Sequence, residues 1–139
     1  MANENILTIV GTLGKDPELR YTTGGRGVCS FSVATNRRWM NKQTNEWNEE
    51  TTWVNVVVWA ELGENVAASL NKGNRVIVNG RLSTRSYDDR EGNKKYITEL
   101  IADNVGAELR FATAQIERTE RTGPSDRAAA PQHPEDEPF

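Results

Sequence analysis

One ten-residue stretch, Thr51–Ala60, constrains the fold more than any other part of the chain. It reads TTWVNVVVWA, and its β-branched and aromatic residues favour a strand. Side chains alternate between the two faces of a strand. One face, which is suited to cover a core, carries Val54, Val56, Val58 and Ala60. The opposite face carries Trp53, Asn55, Val57 and Trp59.

The two tryptophans of this strand allow two interpretations. Both indoles belong to a core if the strand is buried on both sides, whereas on an exposed face they form a stacking surface for flat ligands. Asn55 lies between them, and a buried amide there would need hydrogen-bond partners, which favours the second interpretation. At about 3.3 Å per residue the two indoles lie ~20 Å apart. The strand alone does not decide between the two.

A second stretch, residues 74–87, alternates as clearly. One face carries Val76, Val78, Gly80 and Leu82. The other carries Arg75, Ile77, Asn79, Arg81, Ser83, Arg85 and Tyr87. A strand of this kind can pack a core with its valines and hold a polyanion with its arginine and aromatic side chains. The plain alternative is a solvated face, which is what charged residues on strands usually form.

The other elements are read from alternation, helical spacing and turn residues. Leu62–Asn71 is the single predicted helix, since Leu62, Val66 and Leu70 fall four residues apart. The polar residues 36–50, which include Trp39 and Trp47, read as a long hairpin loop. Further strands are predicted at residues 5–13, 28–35 and 94–103, with 104–111 as an extension of the last. This order of three strands, a helix and two strands suits a five-stranded Greek-key barrel such as the OB-fold.

Charge is distributed unevenly along the chain. The net charge is −3, whereas a basic domain is the usual footprint of a nucleic-acid binder. Residues 1–112 hold 14 basic and 14 acidic residues, and residues 113–139 hold three basic and six acidic ones. The first segment is the predicted domain, and the second, which contains four prolines, is predicted to be a disordered tail.

Residue types needed for catalysis are scarce. Cys29 is the only cysteine, and the only histidine, His133, lies in the tail. The sequence therefore contains no cysteine–histidine catalytic pair and no cysteine and histidine residues at the spacing of metal ligands. Gly11–Gly14 is too short for a phosphate-binding loop. No cofactor or metal is expected, and a binding protein is favoured over an enzyme, although a hydrolase using carboxylates alone stays open. The single cysteine and the lack of a signal peptide or long apolar run predict a cytoplasmic protein with no membrane segment.

Several motifs resemble the bacterial single-stranded DNA-binding protein (SSB) family. They are LTIVGTLGKDPELRYTTGG, SFSVATNRRW, TTWVNVVVWAELGENVAASLNKGNRVIVNGRLSTRSY and the final EDEPF, so the resemblance spans residues 5–104 and the last five. It implies an OB-fold, usually a homotetramer, that binds single-stranded DNA without sequence preference. The tail is short for the family, which leaves open a general replication protein or a paralogue for recombination or DNA uptake.

The resemblance also implies site residues. Aromatic residues that match the base-stacking positions of the family are Trp39, Trp53, Trp59 and Tyr87. Basic residues that match its phosphate-contacting positions are Arg20, Lys42, Lys72, Arg85 and Lys95. Trp47 has no settled role in the family, so its contact with DNA stays open.

The last five residues match the acidic tip of the family. The resemblance implies that replication, recombination and repair proteins bind this tip, and that the protein is associated with the nucleoid. The residues of the tip are Glu135, Asp136, Glu137, Pro138 and Phe139. A different class of function stays open beside this one, namely a protein–protein adaptor whose aromatic face buries a partner protein.

Overall fold

The computed structural model describes residues 4–119, which form a closed barrel with one helix. Strand order around the sheet is β1-β5-β6-β4-β3-β2, and an additional β1–β3 pairing closes the barrel. The elements are β1 (Ile6–Leu13), β2 (Glu18–Tyr21), β3 (Gly27–Asn41), β4 (Glu46–Trp59), α1 (Ala60–Ser69), β5 (Arg75–Asp88) and β6 (Lys94–Ala107).

The predicted Greek-key barrel is confirmed, with one addition. Strands β1, β3, β4, β5 and β6 close the barrel, and the four-residue β2 pairs with β3 at the edge. Only the pairing of β4 with β6 is parallel, whereas the other pairings in the described residues are antiparallel. The helix α1 connects β4 to β5, as the predicted order requires.

The core lies where the alternation of β4 places it. Val56 and Val58 are completely buried and lie opposite Phe31 and Cys29 of β3. Cys29 is completely buried among these apolar side chains, as predicted for a small hydrophobe, and this burial raises the pKa of its thiol. The remaining core residues are Leu13, Val33, Val66, Leu70, Val76, Val78, Leu100 and Ala102.

Two details of the predicted faces are wrong. Ala60 does not continue the core face of β4, because the strand ends at Trp59 and Ala60 begins α1, exposed and with a φ of 61°. Leu82 is 37% exposed instead of buried, and it lies just past Arg81, the last residue of β5 that is paired with β1.

The prediction of a loop at residues 36–50 is also wrong, because this segment belongs to a long hairpin of two paired strands. The β3–β4 pairing is continuous from Val28 opposite Trp59 to Asn41 opposite Glu46, so only residues 42–45 form the turn. This hairpin, Gly27–Trp59, is called the ribbon below. The part of the ribbon farthest from the barrel is polar because no core packs against either of its faces. Its polar composition therefore predicts a loop, although the segment is a pair of strands. Backbone hydrogen bonds across the two strands satisfy the polar groups instead.

The helix begins and ends two residues earlier than predicted, at Ala60–Ser69 instead of Leu62–Asn71. Val66 and Leu70 are buried against the barrel, which confirms the predicted apolar face. Gly63 lowers helix propensity but permits close packing, because a Cβ at this position would lie 2.4 Å from the carbonyl oxygen of Val58.

The described part of the chain offers neither a metal-binding cluster nor a membrane-spanning helix. Residues 4–119 contain no cluster of three or more histidine, cysteine, aspartate or glutamate side chains that could hold a metal ion. Within the same residues, no helix is both long and apolar enough to cross a membrane. The acidic tip and His133 lie outside the described residues.

Candidate nucleic-acid interface

Three tryptophans lie along one face of β4. Trp47, Trp53 and Trp59 are six residues apart, and the β3–β4 register is unbroken, so all three lie opposite the core face. This side of the ribbon is called the outer face below. Trp53 is 58% exposed and Trp59 is half-buried, so the interpretation that both indoles belong to the core is wrong.

Small neighbours leave the Trp53 indole accessible. Trp53 lies opposite Ala34, and its ring packs over Gly14, where an added Cβ would lie 2.5 Å from the Cζ3 atom of the indole. Asn55 is exposed, and its Oδ1 accepts a hydrogen bond from the Ser32 hydroxyl at 3.2 Å. The polar residue between the indoles therefore has both solvent and a partner, which resolves the question raised by the sequence.

Trp59 lies in a row that crosses three strands. Arg20 of β2 lies opposite Val28 of β3, which in turn lies opposite Trp59. The Arg26 guanidinium lies over the Trp59 ring, 4.8 Å from its centroid. Arg20 is highly exposed and contacts Glu18 at 3.4 Å. An exposed ion pair of this kind contributes little to the stability of the fold and leaves the guanidinium accessible. This end of the outer face therefore combines an indole with two arginines.

Trp39 lies on the other face of the ribbon. Trp39 is an even number of residues from Cys29 and Phe31 in β3, so its side chain lies on the same face of the strand as theirs. It lies opposite Asn48, beyond the core. The Arg37 guanidinium lies 4.7 Å from the centroid of the Trp39 ring. The exposed Lys42 follows in the turn at the end of the ribbon. The ribbon therefore carries candidate binding residues on both of its faces.

A separate group lies on the β5–β6 hairpin. Tyr87 is 47% exposed, lies opposite Lys95 and shares its face of β5 with Arg85. The Arg85 guanidinium contacts the Glu99 carboxylate through Nε at 3.0 Å and Nη2 at 3.3 Å. This contact raises the pKa of Arg85, and Glu99 is only 8% exposed. Arg85 is therefore already paired with an acid, which the sequence did not predict.

Lys72 follows the helix and is exposed. Its backbone N–H donates to the Asp16 carboxylate at 2.7 Å, and the neighbouring Gly73 N–H donates to the carbonyl of Leu13 at 2.9 Å. These bonds hold the segment around Lys72 beside the end of β1, next to the Gly14 on which Trp53 packs. Lys72 is thereby placed in the neighbourhood of the outer face.

Three arginines that sequence reasoning missed lie over indoles, namely Arg26, Arg37 and Arg38. None of these three arginines belongs to an ion pair within residues 4–119. Spacing alone could have revealed one of the contacts, because Arg37 and Trp39 share a face if residues 36–41 are read as a strand.

The comparisons with known proteins agree on one family. Residues 4–107 match the Single-strand binding protein family. A protein of Paenarthrobacter aurescens named "Single-stranded DNA-binding protein" is 48% identical over 122 residues, which make up 87% of this chain and 71% of that protein. The "Single-stranded DNA-binding protein 2" of Streptomyces coelicolor is 50% identical over 124 residues, or 88% of this chain and 62% of that protein.

A solved structure described as "Plasmodium falciparum SSB complex with ssDNA" has a similar fold. Its TM-score is 0.71 at 31% identity, over 78% of this chain and 97% of that chain. This similarity agrees with the OB-fold that the strand order predicted. The family match over most of the chain and the identity to these relatives show that the chain belongs to the Single-strand binding protein family.

Proposed function

We propose that this chain binds single-stranded DNA without sequence preference. The observation that carries the proposal is the exposed Trp53 on an outer face that also carries Trp59, with Arg26 over the Trp59 ring. Further support comes from relatives named for single-stranded DNA binding and from a similar structure described as a complex with single-stranded DNA. Members of this family are binding proteins without enzymatic activity, in agreement with the prediction from the sequence.

Base stacking accounts for the lack of sequence preference. Every base presents a π-face, so an indole or phenol ring can stack on any of them. The rings proposed to stack bases are Trp39, Trp53, Trp59 and Tyr87. In duplex DNA the bases already stack on each other, and binding to a duplex is therefore expected to be far weaker.

Phosphate groups provide the second part of the interaction. Exposed basic side chains next to the rings attract the DNA backbone and release its counterions when they bind. The side chains proposed for this role are Arg20, Lys42, Lys72, Arg85 and Lys95. Arg85 differs from the others because Glu99 competes with phosphate for its guanidinium.

The function is tested by titration with an oligothymidine at two salt concentrations, with tryptophan fluorescence as the signal. Binding to single-stranded DNA should quench the fluorescence, and the affinity should fall steeply as the salt concentration rises. An adaptor that buries a partner protein against the aromatic face would show no such salt-dependent binding. Absence of quenching at low salt would contradict the proposed function.

Self-association is proposed because the outer side of β1 and β5 exposes apolar residues. Ile6 is 71% exposed, and Val10 and Ile77, which lie opposite each other, are 44% and 39% exposed. Clustered apolar surface of this kind favours cover by another chain. We expect oligomers, most simply the homotetramer implied by the family resemblance, in analytical ultracentrifugation at micromolar concentration. A monomer under these conditions would refute the prediction.

The acidic tip is proposed to bind replication, recombination and repair proteins. Three adjacent carboxylates, Glu135–Glu137, offer charge-assisted contacts to basic residues of a partner. Pro138 limits the backbone freedom lost on binding, and Phe139 adds an aromatic ring next to the acidic side chains. Residues 1–112 are proposed as the DNA-binding domain and 113–139 as the segment that carries the acidic tip. A cytoplasmic protein associated with the nucleoid follows from this function.

Deletion of Phe139 alone should abolish capture of these proteins from a bacterial lysate while DNA binding stays unchanged. The deletion removes one ring but keeps the three acidic side chains. Removal of the whole tail is the matched control and should leave DNA affinity equal or slightly higher, because the tail carries net negative charge. Undiminished capture without Phe139 would refute a specific pocket for the tip.

A further inference from the structure

Trp47 lies on the outer face of the ribbon, in line with Trp53 and Trp59. The unbroken register gives all three the same orientation relative to the core. At about 3.3 Å per residue, Trp47 lies ~20 Å beyond Trp53, towards the end of the ribbon. Its side chain is 59% exposed, as accessible as that of Trp53. A DNA strand that follows the outer face past Trp53 therefore reaches Trp47 next.

Arg38 gives Trp47 a positive charge as well as a ring. The Arg38 guanidinium lies over the Trp47 indole, 5.0 Å from the ring centroid. Directly opposite Arg38 on β4 lies Glu49, yet the ion pairs of residues 4–119 do not include Arg38. An arginine that contacts an indole without an acid partner keeps hydrogen-bond donors for a phosphate group.

We propose that Trp47 and Arg38 form an additional nucleotide-binding subsite at the end of the ribbon. This inference rests on the proposed function, since it extends the same binding surface. Trp47 stacks a base and Arg38 contacts a neighbouring phosphate, and the DNA path is extended beyond Trp53. Met40, which lies opposite Trp47 and is 44% exposed, adds apolar surface beside the ring.

The subsite predicts an effect that depends on oligonucleotide length. Oligothymidines from about 4 to about 16 nucleotides cover the range of site sizes known for single OB-fold domains. Trp47→Ala should weaken binding of the longest oligonucleotides by at least about fivefold, the lower end for loss of one stacked base. Binding of the shortest ones should change little, because they can be held by Trp53 and Trp59 alone.

Three further variants separate a binding role from a structural one. Trp47→Phe should retain most of the affinity, since a ring remains, whereas Arg38→Ala should lower the log–log salt slope by roughly 0.7 for one lost phosphate contact. Phe111→Ala is the matched control, because Arg75 lies 5.6 Å from the centroid of that exposed ring and the pair is outside the ribbon. It should bind every oligonucleotide as the wild type does.

The inference and the proposed function can fail separately. If wild-type protein binds single-stranded DNA but folded Trp47→Ala and Arg38→Ala match it at every length and salt concentration, the subsite is refuted and the function stands. A lower melting temperature for Trp47→Ala without any loss of affinity would likewise refute it, since the pair would then only stiffen the ribbon. If the wild type itself does not bind, the proposed function fails.

Discussion

Trp53→Ala is expected to weaken binding of single-stranded DNA by about fivefold to more than a hundredfold. One stacked base contributes about 1–3 kcal/mol, and each ~1.4 kcal/mol corresponds to a factor of ten in affinity. Trp53 is more than half exposed and packs with one edge on Gly14, so its removal should cost contacts with DNA more than contacts within the core. Titration with an oligothymidine measures the change, and circular dichroism confirms that the variant is folded.

Gly14→Ala provides a companion test that leaves the indole in place. An added Cβ would approach the Trp53 Cζ3 atom to 2.5 Å, so the ring must move away from its position over Gly14. We therefore expect weaker DNA binding with an unchanged set of aromatic residues. Normal binding by folded Trp53→Ala and Trp59→Ala would show instead that these indoles do not stack bases.

Arg85→Ala is expected to change both the stability and the salt dependence. The substitution leaves Glu99, which is 8% exposed, without its guanidinium partner. A buried acceptor without a partner costs about 1–3 kcal/mol, so the melting temperature should fall by several degrees. Loss of one phosphate contact should also lower the log–log salt slope of DNA binding by roughly 0.7.

A second substitution at Glu99 separates these two effects. In Arg85→Ala/Glu99→Gln the buried charge is removed, so much of the lost stability should return while the salt slope stays low. Glu99→Gln alone frees the Arg85 guanidinium from its acid partner and should bind DNA at least as tightly as the wild type. An unchanged melting temperature for Arg85→Ala would contradict a stabilising role of the pair, and an unchanged salt slope would contradict its phosphate contact.

Local patterns were sufficient to predict much of the barrel. The alternation in β4 and β5 identified Val56, Val58, Val76 and Val78 as core residues, because burial of one strand face imposes a period of two on the sequence. The spacing of Val66 and Leu70 identified the buried face of the helix in the same way. Both kinds of buried face depend on residues that are close together along the chain, so the order of residues in the sequence is enough to predict them.

The same patterns failed where no face is buried. Residues 36–50 have no apolar alternation because both sides of the distal ribbon face solvent, yet 36–41 and 46–50 pair as strands. Their pairing depends on the opposite strand and on the turn at 42–45, where Asn45 adopts a φ of 60°. A residue with a short polar side chain tolerates this conformation, but its presence in a polar segment does not distinguish a tight turn from a loop.

The sequence alone specified the residue types of the candidate interface and the face of β4 on which Trp53 and Trp59 lie. Only the tertiary structure showed that Trp53 is exposed, that Arg26 and Arg38 lie over indoles, and that Glu99 pairs with Arg85. The physical reason is that alternation along one strand defines a face, whereas exposure and charge pairing depend on which strands become neighbours. That information arises from strand register and barrel closure, which connect residues far apart in the chain.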